Sequence, residues 1–409
     1  MNILLINHYA GSKNHGMEYR PYYLAKEWIR YGHKVTIVAA SFSHVRTVQP
    51  FIKGNITKEI IDGIQYIWLK TPEYYENNIR RVFNMMTFIW RLFIYKKRLI
   101  NEFRPDVIIA SSTYPLDIYP AHRIARSVNA KLIFEVHDLW PLSPMELGGM
   151  SRWHPFIMIM QKAEDYAYKV SDYVVSLLPK AYVYMQEHGM APHKFVYIPN
   201  GISVEEWSSC NSSPPKQHLE IIRDLKKQGY FLVGYTGAHG VANALDHLID
   251  AALLLQNEPV FIILVGKGPE KEKLQQKALK LGLKNVIFLP PVPRTTIPEL
   301  LSLFDALYIG WQRQSLYRFG ISPNKLIDYM MAGKPIIHAV EAGNDMVLDA
   351  GCGISIPPED PKAIVDAIKK LMNMSSIDRN QMGSRGREYV LLNHDYRILA
   401  KRFLEVMEK

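Results

Sequence analysis

Asn2-Ile3-Leu4-Leu5-Ile6-Asn7, a helical pattern over Tyr22–Tyr31, then Lys34-Val35-Thr36-Ile37-Val38-Ala39-Ala40: the reading of this opening stretch decides the fold. Both apolar runs lack polar alternation, so each has two covered faces, as a strand inside a parallel sheet does. A helix between two such strands makes a crossover unit, and such crossovers are right-handed. The alternation continues through the strands Gln65–Leu69, Val107–Ser111, Leu132–Val136, Tyr173–Ser176 and Phe195–Ile198, with Asp117–Val128 among the intervening helices. The expected fold class is α/β, a doubly wound and Rossmann-like parallel sheet.

The turn Ile198-Pro199-Asn200-Gly201 closes this series and the polar stretch Ser208–Gln217, with Pro214-Pro215, follows it. A second series then starts: Phe231–Tyr235, Phe261–Val265, Val286–Leu289, Ala306–Ile309, Pro335–Ala339 and Ile354–Ile356, with helices such as Ala244–Gln256 and Lys271–Leu281. The chain's 409 residues exceed one ordinary core, so two domains are expected. Residues 1–199 form the first and 200–384 the second. Residues 385–409, ending in the amphipathic helix Asp395–Glu408, are expected to cross back to the first. Open parallel sheets bind ligands beyond the carboxyl ends of their strands, so two of them predict a facing cleft as the site.

A formal net charge of +10 favours an anionic partner: nucleic acid, an anionic membrane surface or a phosphorylated substrate. Two cysteines, Cys210 and Cys352, exclude a zinc-type or redox Cys-x-x-Cys pattern and fit a reduced, cytoplasmic setting. The first strand has no basic start and reads as neither a signal peptide nor a membrane span. Asn7-His8-Tyr9-Ala10-Gly11-Ser12-Lys13-Asn14-His15-Gly16 lacks the dinucleotide Gly-x-Gly-x-x-Gly spacing. Neither a carboxylate pair suited to hydrolysis nor a metal-ligand cluster stands out.

Phe319-Gly320-Ile321-Ser322-Pro323-Asn324-Lys325-Leu326-Ile327-Asp328, running on to Gly333-Lys334-Pro335, reads as a short helix. Ser322 is its expected N-cap and Pro323 its first residue. The helix start can hold a diphosphate on free N–H groups, with Lys325 favoured there only beside an anion. Asp328 shares a face with Lys325 and can accept bonds from two ribose hydroxyls. A well-capped surface helix with an ordinary ion pair explains the same residues. Gly266-Lys267-Gly268 and Gly237-Ala238-His239-Gly240 follow strands and let a phosphate approach the backbone; a plain tight turn and a loop would also account for them. Glu135-Val136-His137-Asp138 ends a first-domain strand, where His137 can bond a sugar hydroxyl or the acceptor. Arg80–Ile100 carries Arg80, Asn84, Thr87, Arg91 and Arg98 on one stripe amid Phe, Met, Trp and Ile. It either lies in a membrane interface or packs into the first domain or a partner subunit.

In their order along nearly the whole chain, these segments resemble family four of the nucleotide-sugar glycosyltransferases. The resemblance rests on the opening strand, Gly32-His33-Lys34-Val35-Thr36, Ile198-Pro199-Asn200-Gly201-Ile202, Gly266-Lys267-Gly268-Pro269 and Ser322-Pro323-Asn324-Lys325-Leu326 through Gly333-Lys334-Pro335. Arg104-Pro105-Asp106-Val107-Ile108 and His137-Asp138-Leu139-Trp140-Pro141 look most like transferases of N-acetylated deoxyaminosugars in bacterial surface-polysaccharide pathways. The resemblance implies a GT-B fold, a retaining reaction without metal or other cofactor, and a UDP-sugar as donor substrate. A glycan or polyprenyl-linked acceptor, with a cytoplasmic enzyme peripheral on the inner face of the membrane, is expected from the Arg80–Ile100 helix, the net charge and the two cysteines, and no nucleic-acid partner is expected. Asp328 matches the second acid of the family's paired-acid motif; the first would fall on Gly320, which has no carboxylate. The family's basic pair for the diphosphate is missing from Gly237–Asn243, leaving Lys325, His239 or Arg20 to neutralise it. Donor-binding residues are thus expected at Gly16, Arg20, Gly237, His239, Gly266, Ser322, Asn324, Lys325 and Asp328, with His137 catalytic. Two alternatives stay open: a nucleotide-sugar 2-epimerase, which also uses two facing Rossmann-like domains, and a non-catalytic binding scaffold, motivated by Gly320 and the missing basic pair.

Overall fold

A computed structural model describes residues 1–75, 79–210 and 212–409, so Asn211 of the polar stretch Ser208–Gln217 lies outside the described residues. The chain divides into two compact units. The first comprises Met1–Asn200, Phe319–Ser322 and Tyr396–Lys409; the second comprises Gly201–Arg318 and Pro323–Asp395.

The first unit holds eight strands: β1 (Asn2–Ile6), β2 (Lys34–Ala40), β3 (Ile56–Ile61), β4 (Ile64–Leu69), β5 (Val107–Ala110), β6 (Lys131–Val136), β7 (Tyr173–Ser176) and β8 (Phe195–Tyr197). They lie in the order β3-β4-β2-β1-β5-β6-β7-β8. All pairs are parallel except β3 with β4. In register, Ile3 of β1 sits beside Val35 on one side and Val107 on the other. The first crossover leaves β1 toward β2 and a later one returns to β5, so the sheet's switch point lies between β1 and β5.

Strand β3 has no counterpart in the pattern reading. Its sequence, Ile-Thr-Lys-Glu-Ile-Ile, is half polar because it is an edge strand, and charges on an edge discourage pairing with another chain. The signal that marks it is Asp62-Gly63, whose φ values of 50° and 81° make a two-residue hairpin turn.

The second unit's strands are β9 (Phe231–Thr236), β10 (Val260–Val265), β11 (Val286–Leu289), β12 (Ala306–Gly310), β13 (Ile336–Ala339) and β14 (Gly353–Ile356). All are parallel, in the order β11-β10-β9-β12-β13-β14, with the switch point between β9 and β12. Apolar clusters fill both sides of this sheet.

The last helix, Tyr396–Glu408, belongs to the first unit. Leu399, Ala400 and Phe403 join its core, Tyr396 stacks on Tyr23, and Trp28 donates its indole N–H to the Ala400 carbonyl at 3.2 Å. The boundary set at residue 385 is therefore displaced: it falls inside the helix Ser376–Asn393, and the chain changes unit after Asp395. Among the described residues, no helix is long and apolar enough to cross a membrane.

Candidate functional site

Two groups of strand-end residues carry polar chemistry, one in each unit. In the second unit, a cavity of about 490 Å³ opens at the ends of β9 and β10, lined by Thr236, Gly237, Ala238, Gly266, Lys267 and Gly268 with Val292 and Ile297. Gly237 donates its N–H to Val265 at 3.0 Å, which draws the two strand-end loops together. Gly266 has φ +154°, and a Cβ there would overlap the Gly237 carbonyl oxygen and come within 3.2 Å of the His239 Nε2. Only glycine permits that approach.

His239 is fully buried, and neither ring nitrogen has a hydrogen-bond partner. Burial, with Lys271 and Lys325 nearby, holds its pKa down at about 4, so the ring is neutral at physiological pH. Lys325 sits in the first turn of the helix Asn324–Met331. Its Nζ donates to Tyr235 Oη at 2.7 Å and Asn243 Oδ1 at 2.8 Å and lies 4.3 Å from the Tyr235 ring centre. Tyr235 in turn donates to the Ala238 carbonyl at 2.6 Å, so Lys325 ties down the whole Gly237–Asn243 loop. Burial lowers its pKa to about 7. No side chain caps this helix; Leu326 donates its N–H to the Pro323 carbonyl at 3.1 Å, which leaves the Asn324 and Lys325 amides to other acceptors. Asp328, one turn on, faces Arg294 at 3.7 Å rather than Lys325. Burial, partly offset by Arg294, raises its pKa to about 6.

Ser322 is not the N-cap of that helix. Pro323 occupies the cap position. Ser322 belongs to the first unit, where its Oγ accepts the Asn200 N–H at 2.8 Å and its carbonyl accepts the Asn200 side-chain amide at 2.8 Å. Asn200 outcompetes the helix start because both of its donors converge on one residue. Asn324 opens the helix, half-buried.

In the first unit, the polar group gathers around the switch point. The buried Glu135 of β6 accepts from Arg20 Nε at 3.0 Å and from the Ser111 hydroxyl at 2.6 Å. Ser111, just after β5, also meets His137 Nε2 at 3.0 Å, while Asn7 donates to the Ser111 carbonyl at 2.7 Å. Burial alone would raise the Glu135 pKa, but Arg20 above all, with His137, brings it to about 2. Burial likewise opposes charge on His137, and the Glu135 carboxylate outweighs it, so the His137 pKa is raised.

Arg20, expected at the diphosphate, is instead engaged inside the first unit. It is buried, and besides Glu135 its guanidinium donates to the carbonyls of Pro199 and Ile198. A buried carboxylate demands such a partner. Gly16 sits in a closed loop, its N–H bonded to the Ser12 carbonyl at 2.8 Å, where a Cβ would overlap Thr47 Oγ1.

Sequence reasoning missed Tyr235, Asn243, Arg294, Ser111 and Glu135. Glu135 had a signal, as a lone charge in the apolar strand Leu132–Val136. Arg294 had none: it meets Asp328 only through folding. Among the described residues, no three His, Cys, Asp or Glu side chains group as metal ligands do.

Residues 219–389 match the family model described as glycosyl transferases group 1, and residues 15–201 match the glycosyl transferase 4-like domain. The chain is 20% identical over 368 residues to "Probable glycosyltransferase WbjE" of Pseudomonas aeruginosa, covering 88% of this chain and 89% of that protein. It is 24% identical over 193 residues, 46% of each chain, to "Putative colanic acid biosynthesis glycosyl transferase WcaI" of Escherichia coli (strain K12). Among solved structures, HepE of Anabaena in complex with UDP and glucose superposes with a TM-score of 0.66 at 15% identity, covering all of both chains. That likeness establishes the fold.

Proposed function

This chain belongs to the group 1 and 4-like glycosyltransferases with the GT-B fold, and we propose that it transfers a sugar from a UDP-sugar to a glycan or polyprenyl-linked acceptor in bacterial surface-polysaccharide synthesis. In this reading the configuration at the anomeric carbon is retained, no metal takes part, and the enzyme works in the cytoplasm at the inner face of the membrane. The sugar is an N-acetylated deoxyaminosugar. UDP is bound in HepE, and the name of WcaI supplies the pathway class.

The observation that carries the donor site is the unpartnered imidazole of His239, set between two glycine turns and close to Lys325. A neutral imidazole keeps one N–H to donate, and an N–H with no protein partner is satisfied by a phosphate oxygen. Lys325 adds a cation that burial makes reluctant to hold its proton until an anion arrives. The first-turn amides of the same helix add oriented dipoles. Asp328 accepts the ribose hydroxyls.

Negative charge grows on the departing diphosphate as the anomeric bond breaks. Donors aimed at it therefore stabilise the transition state more than the ground state. The acceptor oxygen bonds to the anomeric carbon on the face the diphosphate leaves, and its proton passes to the departing phosphate oxygen. His137, with Ser111 and Glu135 both on its Nε2, offers Nδ1 to a hydroxyl of the sugar or the acceptor.

The test is calorimetric titration of UDP, GDP and ADP into the protein and into its Asp328→Ala variant. We expect UDP to bind selectively and the variant to weaken it by roughly tenfold or more, the value of one or two lost hydrogen bonds to a charged group. No binding of any of the three by folded protein would overturn the transferase donor site.

A further inference from the structure

The helix Ile79–Phe103 presents to solvent a face that folding leaves uncovered. Its inner face, Met85, Phe88, Ile89, Leu92 and Leu99, is buried in the first unit. Asn84 is buried with them and donates to Thr71 Oγ1 at 3.0 Å and the Pro72 carbonyl at 2.6 Å. The outer face is Ile79, Phe83, Met86, Trp90 and Ile94, each between 49% and 81% exposed. Spacings of four, three, four and four put them on a single stripe about 22 Å long. The stripe read from the sequence as polar is therefore only a flank of the helix, and its Asn84 points inward. A contiguous apolar strip of this kind marks an interaction surface.

Charge selects the partner. The helix carries six bases (Arg80, Arg81, Arg91, Lys96, Lys97 and Arg98) against one acid, Glu102. The exposed Lys97 continues the stripe past Ile94, and the exposed Arg80 and Arg98 border it on one side. A second copy docked on the same stripe would set these bases against their own kind. A helix with this many charges cannot cross a membrane but can lie in its plane. We propose that the Ile79–Ile94 stripe docks the protein flat on an anionic lipid surface. The five apolar side chains then enter the headgroup–acyl boundary, and Lys97, Arg80 and Arg98 meet headgroup phosphates. The inference rests on this surface and not on the donor site; it bears on the acceptor by bringing the chain to a lipid-linked one.

The experiment is co-sedimentation of the full chain with vesicles of phosphatidylcholine alone and of phosphatidylcholine mixed with phosphatidylglycerol, at low and high salt. The double variant Phe83→Glu/Trp90→Glu is run beside it, with circular dichroism and nucleotide binding as checks on its fold. We expect binding to the mixed vesicles that salt weakens, a loss of about tenfold or more in the double variant, and wild-type behaviour from Asp328→Ala. Wild-type protein that ignores the mixed vesicles, or a double variant that binds them equally well, overturns the proposal. So does a dimer, seen by light scattering, that the double variant dissolves, because the stripe would then belong to a second copy.

Discussion

The polar groups at the strand ends of the two units are opposites. Around β1, β5 and β6, the charges satisfy one another: Arg20 is held by Glu135 and two carbonyls, and Glu135 by Arg20 and Ser111. Around β9 and β10, His239 is buried without a partner and Lys325 has no acid among its hydrogen-bond acceptors. A closed network fixes geometry, here that of His137. An open one keeps hydrogen-bonding capacity unused. The contrast is consistent with assigning the donor diphosphate to the second unit and orientation of a catalytic side chain to the first.

The contrast can be broken first at Glu135. Glu135→Ala leaves the buried Arg20 guanidinium without its carboxylate partner, and breaking a buried pair this way costs about 3–5 kcal/mol. Urea unfolding should show a loss of that size, with activity falling even where the protein remains folded. A change below about 1 kcal/mol would mean the network is not closed.

His239→Leu should do the reverse. Replacing an unpartnered buried ring with an apolar side chain should leave stability unchanged or raise it by about 1 kcal/mol. UDP affinity should fall by roughly tenfold, the value of one charge-assisted hydrogen bond. If stability falls and affinity does not, the imidazole is a packing residue.

A third effect is a pH dependence. With a pKa lowered to about 7, Lys325 is only partly charged in the free protein, and an anion favours its charged form. UDP binding should therefore take up a proton, and affinity should decline between pH 7.5 and 9.5 by up to about tenfold per unit. Lys325→Arg stays charged throughout and should flatten that slope. His239, near 4, stays neutral over the range and adds nothing to it. Asp328, near 6, is already ionised there. A wild-type affinity that is level across this range would show Lys325 fully charged before UDP binds.

The strand series and both units were legible because buried parallel strands write themselves as short apolar runs, and helices separate them at a readable period. Only β3 escaped, since an exposed edge needs few apolar residues; its turn, Asp62-Gly63, was the available mark. Of the site, the positions of Gly237, His239, Gly266 and Lys325 on strand-end loops and a helix start followed from local pattern alone.

What the sequence by itself determined is the alternation of elements, the two-unit division and the loops that gather at strand ends, because each depends on neighbours along the chain. Only the tertiary structure decided which charges are spent on one another. Arg20 meets Glu135 across 115 residues of sequence, Ser322 meets Asn200 across 122, and Asn84 turns its helix inward toward Thr71 and Pro72. Such pairings are chosen when packing brings side chains within about 3 Å. A buried polar group takes whichever partner lies there, since going without one costs more than any local preference offers.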